Sequence, residues 1–351
     1  MEIKDYVYRE MLAYEAFIRR ASQINLPFML KGSYVTRQYF QNPNDRIPGD
    51  LDWVYMDTLE DESTARQKFD EWATLVTELA LDDNVTYISF KQNAFWRRID
   101  YAMADDFPTI NTDLACWVGT EKLNFGLDIS FNLDIEQPPV PLMYHPLEGA
   151  PFLVPNTVPI SLQVSWKIHQ TLVRPRFKDL FDLIHLVQYP TFDKDNLDRA
   201  LQALINECSA DNVDLSKLKC FLNYEISELF PDNSIDETWE FWRHDVDRKN
   251  YGRILYHDSA KHLTDVDKLP IELSEFLEVF KMNLENAGFG MHLFDNLPKP
   301  TRNKRKTFEQ KKPVTILAPS NNSAPDENGH GDDWTIAGFF KKLFKSLFGI
   351  L

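Results

Sequence analysis

The chain has 351 residues, 43% of them hydrophobic and 26% charged, which is material for about two domains of roughly 150 residues. Cys116, Cys208 and Cys220 are far apart and form no CxxC pair, which speaks against a disulfide framework or cysteine zinc site and for a reducing, cytoplasmic setting. The net charge of −16 is unevenly spread: residues 299–351 hold ten Lys and Arg against five Asp and Glu, and the rest hold 28 against 49, so the body lacks the basic footprint of a general nucleic-acid binder. The opening MEIKDYVYRE is charged where a signal peptide needs an apolar run, and no apolar stretch approaches the ~20 residues of a membrane span.

In chain order, residues 5–25 space Tyr6, Met11, Tyr14, Phe17, Ile18 and Ala21 as one face of a helix. Phe28–Leu30 predicts a short strand, and Gly32-Ser33 turns the chain into a second helix over 34–41. A loop marked by Asn42, Pro43, Asn44 and Pro48 leads to a strand at Leu51–Tyr55. A helix is expected over 61–82, then strands at Val85–Phe90, Phe95–Tyr101 and Leu114–Val118. In Asn124–Phe131 the residues Phe125, Leu127, Ile129 and Phe131 alternate with polar ones, a period of two. Residues 136–160 are Pro-rich and predict a connector. From Ser161 helices are expected over 161–174, 176–188, 194–208, 214–229, 236–248 and 271–286, a bundle with Trp239 and Trp242 in its core. His145, His169 and His185 show no ligand spacing.

The sharpest local feature is Asp50-Leu51-Asp52. Residues two apart on a strand face the same side, and two carboxylates there repel unless a cation lies between them. If the strand bearing Asp128 pairs beside Leu51–Tyr55, three carboxylates converge. Such a cluster suits paired divalent ions, with Mg²⁺ the natural occupant of hard oxygen ligands and Mn²⁺ a substitute. Read alone, the DLD run is a weak signal and reads first as a strand start on a solvated face. The Gly32-Ser33 turn shifts that balance, because backbone N–H groups at a strand-to-helix turn can hold phosphate.

With these features the sequence resembles the AbiEii/AbiGii toxin family of nucleotidyltransferases, within the DNA polymerase β-like superfamily. The resemblance spans about residues 25–190 and rests on LKGSYVTRQYF with RIPGDLDWVY, on GLDIS, and on SWKIHQTLVRPRFKDLFDLIHL. It aligns Lys31, Gly32, Ser33, Arg46, Asp50 and Asp52 with the first family motif, Asp128 with the third carboxylate, and Lys167, Arg174, Asp179 and Asp182 with the last. Lys178 stands where the family has Arg, keeping the charge without the fork, and Pro48 where a Ser is common.

The resemblance implies an α+β fold, a polymerase-β-like mixed sheet with flanking helices followed by the bundle. It also implies transfer of a nucleoside monophosphate from an NTP to an acceptor that can be RNA or a tRNA end, in a toxin restrained by an antitoxin or acting in phage defence. Asp50, Asp52 and Asp128 would hold the metal ions, and Asp128 would also help deprotonate the attacking hydroxyl. Gly32, Ser33, Arg46, Lys167 and Arg174 would bind the nucleotide, with Asp179 orienting Lys167 or Arg174. Asp179 is equally a carboxylate favoured by a helix N-terminus. Arg37, one turn beyond Gly32-Ser33, could reach a phosphate or stay on the surface. A small oligonucleotide product is an alternative outcome, and an inactive scaffold another.

The expected domains are a catalytic domain at 1–150, a helical domain at 151–298, a disordered linker at 299–333 and an amphipathic helix at 334–351. That last segment sets Ile336, Phe339, Phe340, Leu343, Phe344, Leu347, Phe348 and Leu351 against Lys341, Lys342 and Lys345. Such a helix suits docking to the inner membrane surface or into a protein groove, or onto the chain's own body.

Overall fold

Two apolar stripes, one on a helix and one on alternating strand positions, set the architecture. In a computed structural model describing residues 5–98, 109–231, 234–245 and 259–301, the protein is a mixed α+β fold. The described strands form an eight-stranded sheet: β1 (Phe28–Lys31), β2 (Leu51–Tyr55), β3 (Val85–Tyr87), β4 (Arg97–Arg98), β5 (Thr109–Val118), β6 (Glu121–Ser130), β7 (Val140–Tyr144) and β8 (Phe152–Thr157). The main path runs β3-β5-β6-β2-β1-β8-β7, with β4 beside β5. The pairs β2–β6 and β1–β8 are parallel, and the others antiparallel.

One sheet face carries Phe28, Trp53 and Phe125, which the helices α1 (Asp5–Ala21) and α3 (Glu62–Glu78) bury. Phe28 stacks on Trp72 at 4.0 Å, and Phe17 meets Trp53, Trp72 and Phe125 edge-on. Aromatic pairs in such geometries add about 0.5–1.5 kcal/mol each beyond their area burial. The layer thus fixes the sheet, and the opposite face carries Lys31, Asp52 and Asp128 beside the buried Met29 and Val54. Asp61 caps α3, accepting from the Thr64 N–H at 2.8 Å.

Beyond the sheet lie α4 (Ile160–Val173), α5 (Phe177–Gln188), α6 (Lys194–Ala210), α7 (Leu215–Leu222), α8 (Ile235–His244) and α9 (Leu273–Asn286), with a last turn α10 (Met291–Phe294). Phe177, Trp239, Trp242 and Phe276 pack together with ring centroids 5.1–5.8 Å apart. The two tryptophans therefore belong to the core.

Several elements differ from the sequence expectation. The Pro-rich stretch 136–160 contains strands β7 and β8, which extend the sheet rather than leave it. Pro141 sits at a register shift between Val140 and Leu142 on the edge strand, where a missing N–H is tolerated. The helix expected over 34–41 is one α-turn, α2 (Ser33–Thr36), followed by a 3-10 turn at Arg37–Tyr39. The helix expected over 214–229 stops at Leu222, because Tyr224 adopts φ 59°.

Residues 1–307 cluster as one compact unit, which takes in both the segment 1–150 and the helices after it. The second unit, 308–351, lies outside the described residues, as do the amphipathic segment 334–351, nearly all of the expected linker, and residues 99–101 of the expected strand at 95–101. No described helix is long and apolar enough to cross a membrane.

Candidate active site

Register brings the predicted carboxylates together. Asp52 and Asp128 are direct partners across the parallel strands β2 and β6, and so project side by side from strands about 4.8 Å apart. The row continues outward in both directions. Lys31 on β1 pairs with Asp52, and Asn111 on β5 pairs with Asp128. Lys31 Nζ lies 3.3 Å from Asp52 Oδ1, and the Asn111 side-chain amide donates to Asp128. Arg97 in turn donates to the Asn111 carbonyl and to Asp113 at 2.6 Å. This sequence of charges sets the amide's orientation, carbonyl toward the guanidinium and NH₂ toward the carboxylate.

Gly32 closes the other side. Its φ of 75° lies in the left-handed region, and a Cβ there would fall 3.0 Å from the Cβ and Cγ of Asp52 and closer still to Oδ2. Only glycine suits both the backbone and the approach. Ser33 Oγ donates to the Asp50 carbonyl at 3.3 Å, joining the bend to the start of β2. Asp50 itself is exposed just ahead of the strand. The Tyr14 hydroxyl is pushed well up, first by burial and then by nearby acids that include Asp50 and Asp128.

Helix α4 reaches this bend through Gln163, whose amide donates to the Gly32 carbonyl at 3.0 Å and to Thr36 Oγ1 at 3.2 Å. One turn further on the same helix face stands Lys167, 2.7 Å from Asp179 and 2.9 Å from Asp182 on α5. Asp182 also takes the Arg46 fork at 2.7 and 3.2 Å, and Asp179 takes Arg176 at 2.6 Å. The five side chains alternate in sign, three cations to two carboxylates, and both carboxylates are fully buried. Burial pushes Asp179 and Asp182 up, but the adjoining cations outweigh it and hold both below the usual carboxylate range. Burial likewise works against charge on Lys167, and the two carboxylates reverse it.

The loop that carries Asp50 is clipped from the far end of the described fold. Ile47 N–H donates to the Leu263 carbonyl at 2.7 Å, Thr264 Oγ1 donates to the Asp45 carbonyl at 2.7 Å, and Lys268 pairs with Asp45 at 2.8 Å.

Three expectations change. Arg37 is fully buried, with its guanidinium bonded to Glu15, to Asn44 at 2.8 Å and to the Pro43 carbonyl at 3.0 Å. It is closed off from any phosphate, because the chain tightens into a 3-10 turn at that residue. The three carboxylates also do not form one closed cluster: among the described residues no group of three His, Cys, Asp or Glu side chains is gathered around a single ion position. Arg174 is exposed at the end of α4, and it is Arg176 that meets Asp179. Neither Asn111, Gln163 nor Arg176 carries a sequence signal beyond being polar near an expected element.

The residues present fit a divalent cation. The donors are carboxylate oxygens, two of them adjacent in register, and the bend beside them excludes even a Cβ. Mg²⁺ commonly uses one or two carboxylates and completes its shell with water and substrate phosphate, which an open pair of acids permits.

A mixed sheet thus sets two acids beside a strand-to-helix glycine bend. The chain belongs to the AbiEii family of nucleotidyl transferase toxins of type IV toxin–antitoxin systems, whose model matches residues 17–269. It is accordingly a nucleotidyltransferase with an NTP substrate. None of the curated proteins is similar to it in sequence. Among solved structures, it is similar to a candidate nucleotidyltransferase from H. pylori (14% identity, 81% of this chain and 95% of that one, TM-score 0.42). It is also similar to the MenT4 nucleotidyltransferase toxin of Mycobacterium tuberculosis (12% identity, 81% and 94%, TM-score 0.42). Likenesses this loose carry no information about chemistry.

Proposed function

We propose that this toxin transfers a nucleoside monophosphate from an NTP to a hydroxyl of RNA, tRNA ends included, with Mg²⁺ held by Asp52 and Asp128 and approached by Asp50. The observation that carries this reading is the register pairing of Asp52 with Asp128 next to Gly32. The acceptor oxygen forms a bond to the α-phosphorus, the bond to the bridging oxygen breaks, and pyrophosphate leaves with the electron pair. Asp128, oriented by Asn111, is the group positioned to take the hydroxyl proton. Ser33 and the Gly32 bend receive the triphosphate. Lys167, on the face of α4 that reaches the bend, draws its charge toward α4 and α5, and Arg46, buried on Asp182 and on the Ile47 carbonyl, holds that network in place. A bound divalent ion would supply charge neutralisation on the phosphate oxygens. Most of the rate enhancement is then positioning and charge stabilisation.

The cytoplasm, as the source of NTP, is the compartment this reaction requires. An antitoxin would relieve the growth arrest, and arrest on infection would serve phage defence. Incubation of purified protein with each α-labelled NTP, Mg²⁺ and total RNA tests the reading. Label on RNA supports it, and a small labelled product would instead favour an oligonucleotide signal, which the acidic body (28 Lys and Arg against 49 Asp and Glu) suits better. Absence of turnover with all four NTPs would overturn both.

A further inference from the structure

Lys31 is the last residue of β1, next to the glycine bend, and its ammonium lies 3.3 Å from Asp52 Oδ1. We infer that Lys31 holds the cation position on Asp52 until nucleotide arrives, so that metal and NTP bind cooperatively. The inference rests on the site reading above and adds a coupling to it.

The geometry sets up a competition. A divalent ion would sit 2.0–2.1 Å from its carboxylate oxygens, so an ion on Asp52 and the ammonium would crowd the same side chain. Two positive charges at that range repel, and the pair is only partly exposed, with side-chain accessibilities of 18% and 24%, so water screens the repulsion incompletely. Gly32 lies so near Asp52 that no Cβ would fit between them, which limits how far the carboxylate can turn to serve both. Metal alone must therefore displace Lys31 with no anion to receive it. When nucleotide occupies the Gly32-Ser33 bend, its phosphates lie one residue along the chain, within the sweep of a flexible four-carbon stem. The ammonium then moves from carboxylate to phosphate as the ion takes its place, and the total charge near Asp52 stays balanced. Binding linkage is reciprocal, so nucleotide tightens metal and metal tightens nucleotide by the same factor. The device keeps the carboxylates neutralised in the resting toxin and disfavours metal loading in the absence of substrate.

The test uses full-length protein and Mn²⁺, with free Mn²⁺ read by its paramagnetic signal, with and without a nonhydrolysable α,β-methylene NTP analogue. In wild type the analogue should tighten Mn²⁺ binding. In Lys31→Met, Mn²⁺ alone should bind roughly fivefold tighter, the scale of releasing one partly exposed ion pair, and the gain from the analogue should shrink by about the same factor, leaving the share that direct phosphate ligation of the ion supplies. Lys31→Arg should retain the coupling, and Lys31→Gln repeats the measurement if the Met variant does not fold. Unchanged metal-alone affinity and unchanged coupling in Lys31→Met would overturn the inference while leaving the metal site standing. Mn²⁺ binding indifferent to Asp52→Asn, with analogue present, would remove the site reading itself and this inference with it.

Discussion

Gly32 and Asp52 are locked against each other: any side chain at Gly32 would occupy the space of the Asp52 carboxylate, and its φ of 75° already excludes most residues. Gly32→Ala should therefore fail twice. A residue other than glycine in the left-handed region costs about 1–2 kcal/mol, and the added methyl displaces a proposed metal ligand. Expected outcomes are a drop in kcat/KM of roughly 100-fold or more and a lowered urea midpoint. An active, equally stable Gly32→Ala enzyme would contradict the close approach.

Asp52→Asn and Asp128→Asn separate chemistry from folding. Each keeps the side-chain shape and changes the charge on a register row that also contains Lys31 and Asn111. Nucleotide transfer should fall by about 10²–10³. Stability should change by less than ~1 kcal/mol for Asp52→Asn, whose ion pair is partly exposed. Steady-state label transfer and thermal melting on the same preparations check both. Retained activity in either variant would leave the carboxylate row without a catalytic role.

Much of this site could be read before any coordinates, and the misses have physical causes. The DLD run and the alternation of Phe125, Leu127 and Ile129 around Asp128 mark strand faces directly. Their parallel pairing does not appear in sequence, because it is fixed by the aromatic layer of Phe17, Phe28, Trp53 and Trp72 beneath the sheet. Asn111 was hidden because the polar half of β5 carries no alternation strong enough to announce a strand. Arg37 misled because spacing assumes a regular helix, whereas a 3-10 turn carries its guanidinium to the buried Glu15. Arg174 and Arg176 lie on either side of the break between α4 and α5, where helical phase gives no guide to which one faces Asp179.

Asp182 is the centre of the buried charge network, shared by Arg46 and Lys167. Asp182→Ala would strand Arg46, which has little access to water, and leave Lys167 to Asp179 alone, and breaking a buried pair in this way costs about 3–5 kcal/mol. Lys167→Met leaves Asp182 with Arg46 and Asp179 with Arg176, so it should destabilise less while raising KM for NTP. Chemical denaturation ranks the two, and a larger stability loss for Lys167→Met than for Asp182→Ala would show that the network is organised around the lysine instead.

His185 gives the protein a pH dependence distinct from its carboxylates. Its ring stacks on Phe40 at 3.9 Å. Burial pulls its pKa down to about 4, against the opposing pull of Asp182 and Asp45. The unfolded chain takes up this proton near pH 6.5, whereas the folded protein resists it until about pH 4. Stability from this group is thus complete above pH 6.5, and it declines as pH falls through that window by about 3 kcal/mol in all. Asp179 and Asp182, held below their ordinary range, act in the same direction but only under about pH 4. His185→Phe keeps a ring on Phe40 and removes the proton. Urea unfolding at pH 7.5 should differ little from wild type, whereas at pH 4.5 the variant should be the more stable by a growing margin. A difference between the two proteins that stays constant from pH 7.5 to 4.5 would mean that the folded protein accepts the proton as readily as the unfolded chain.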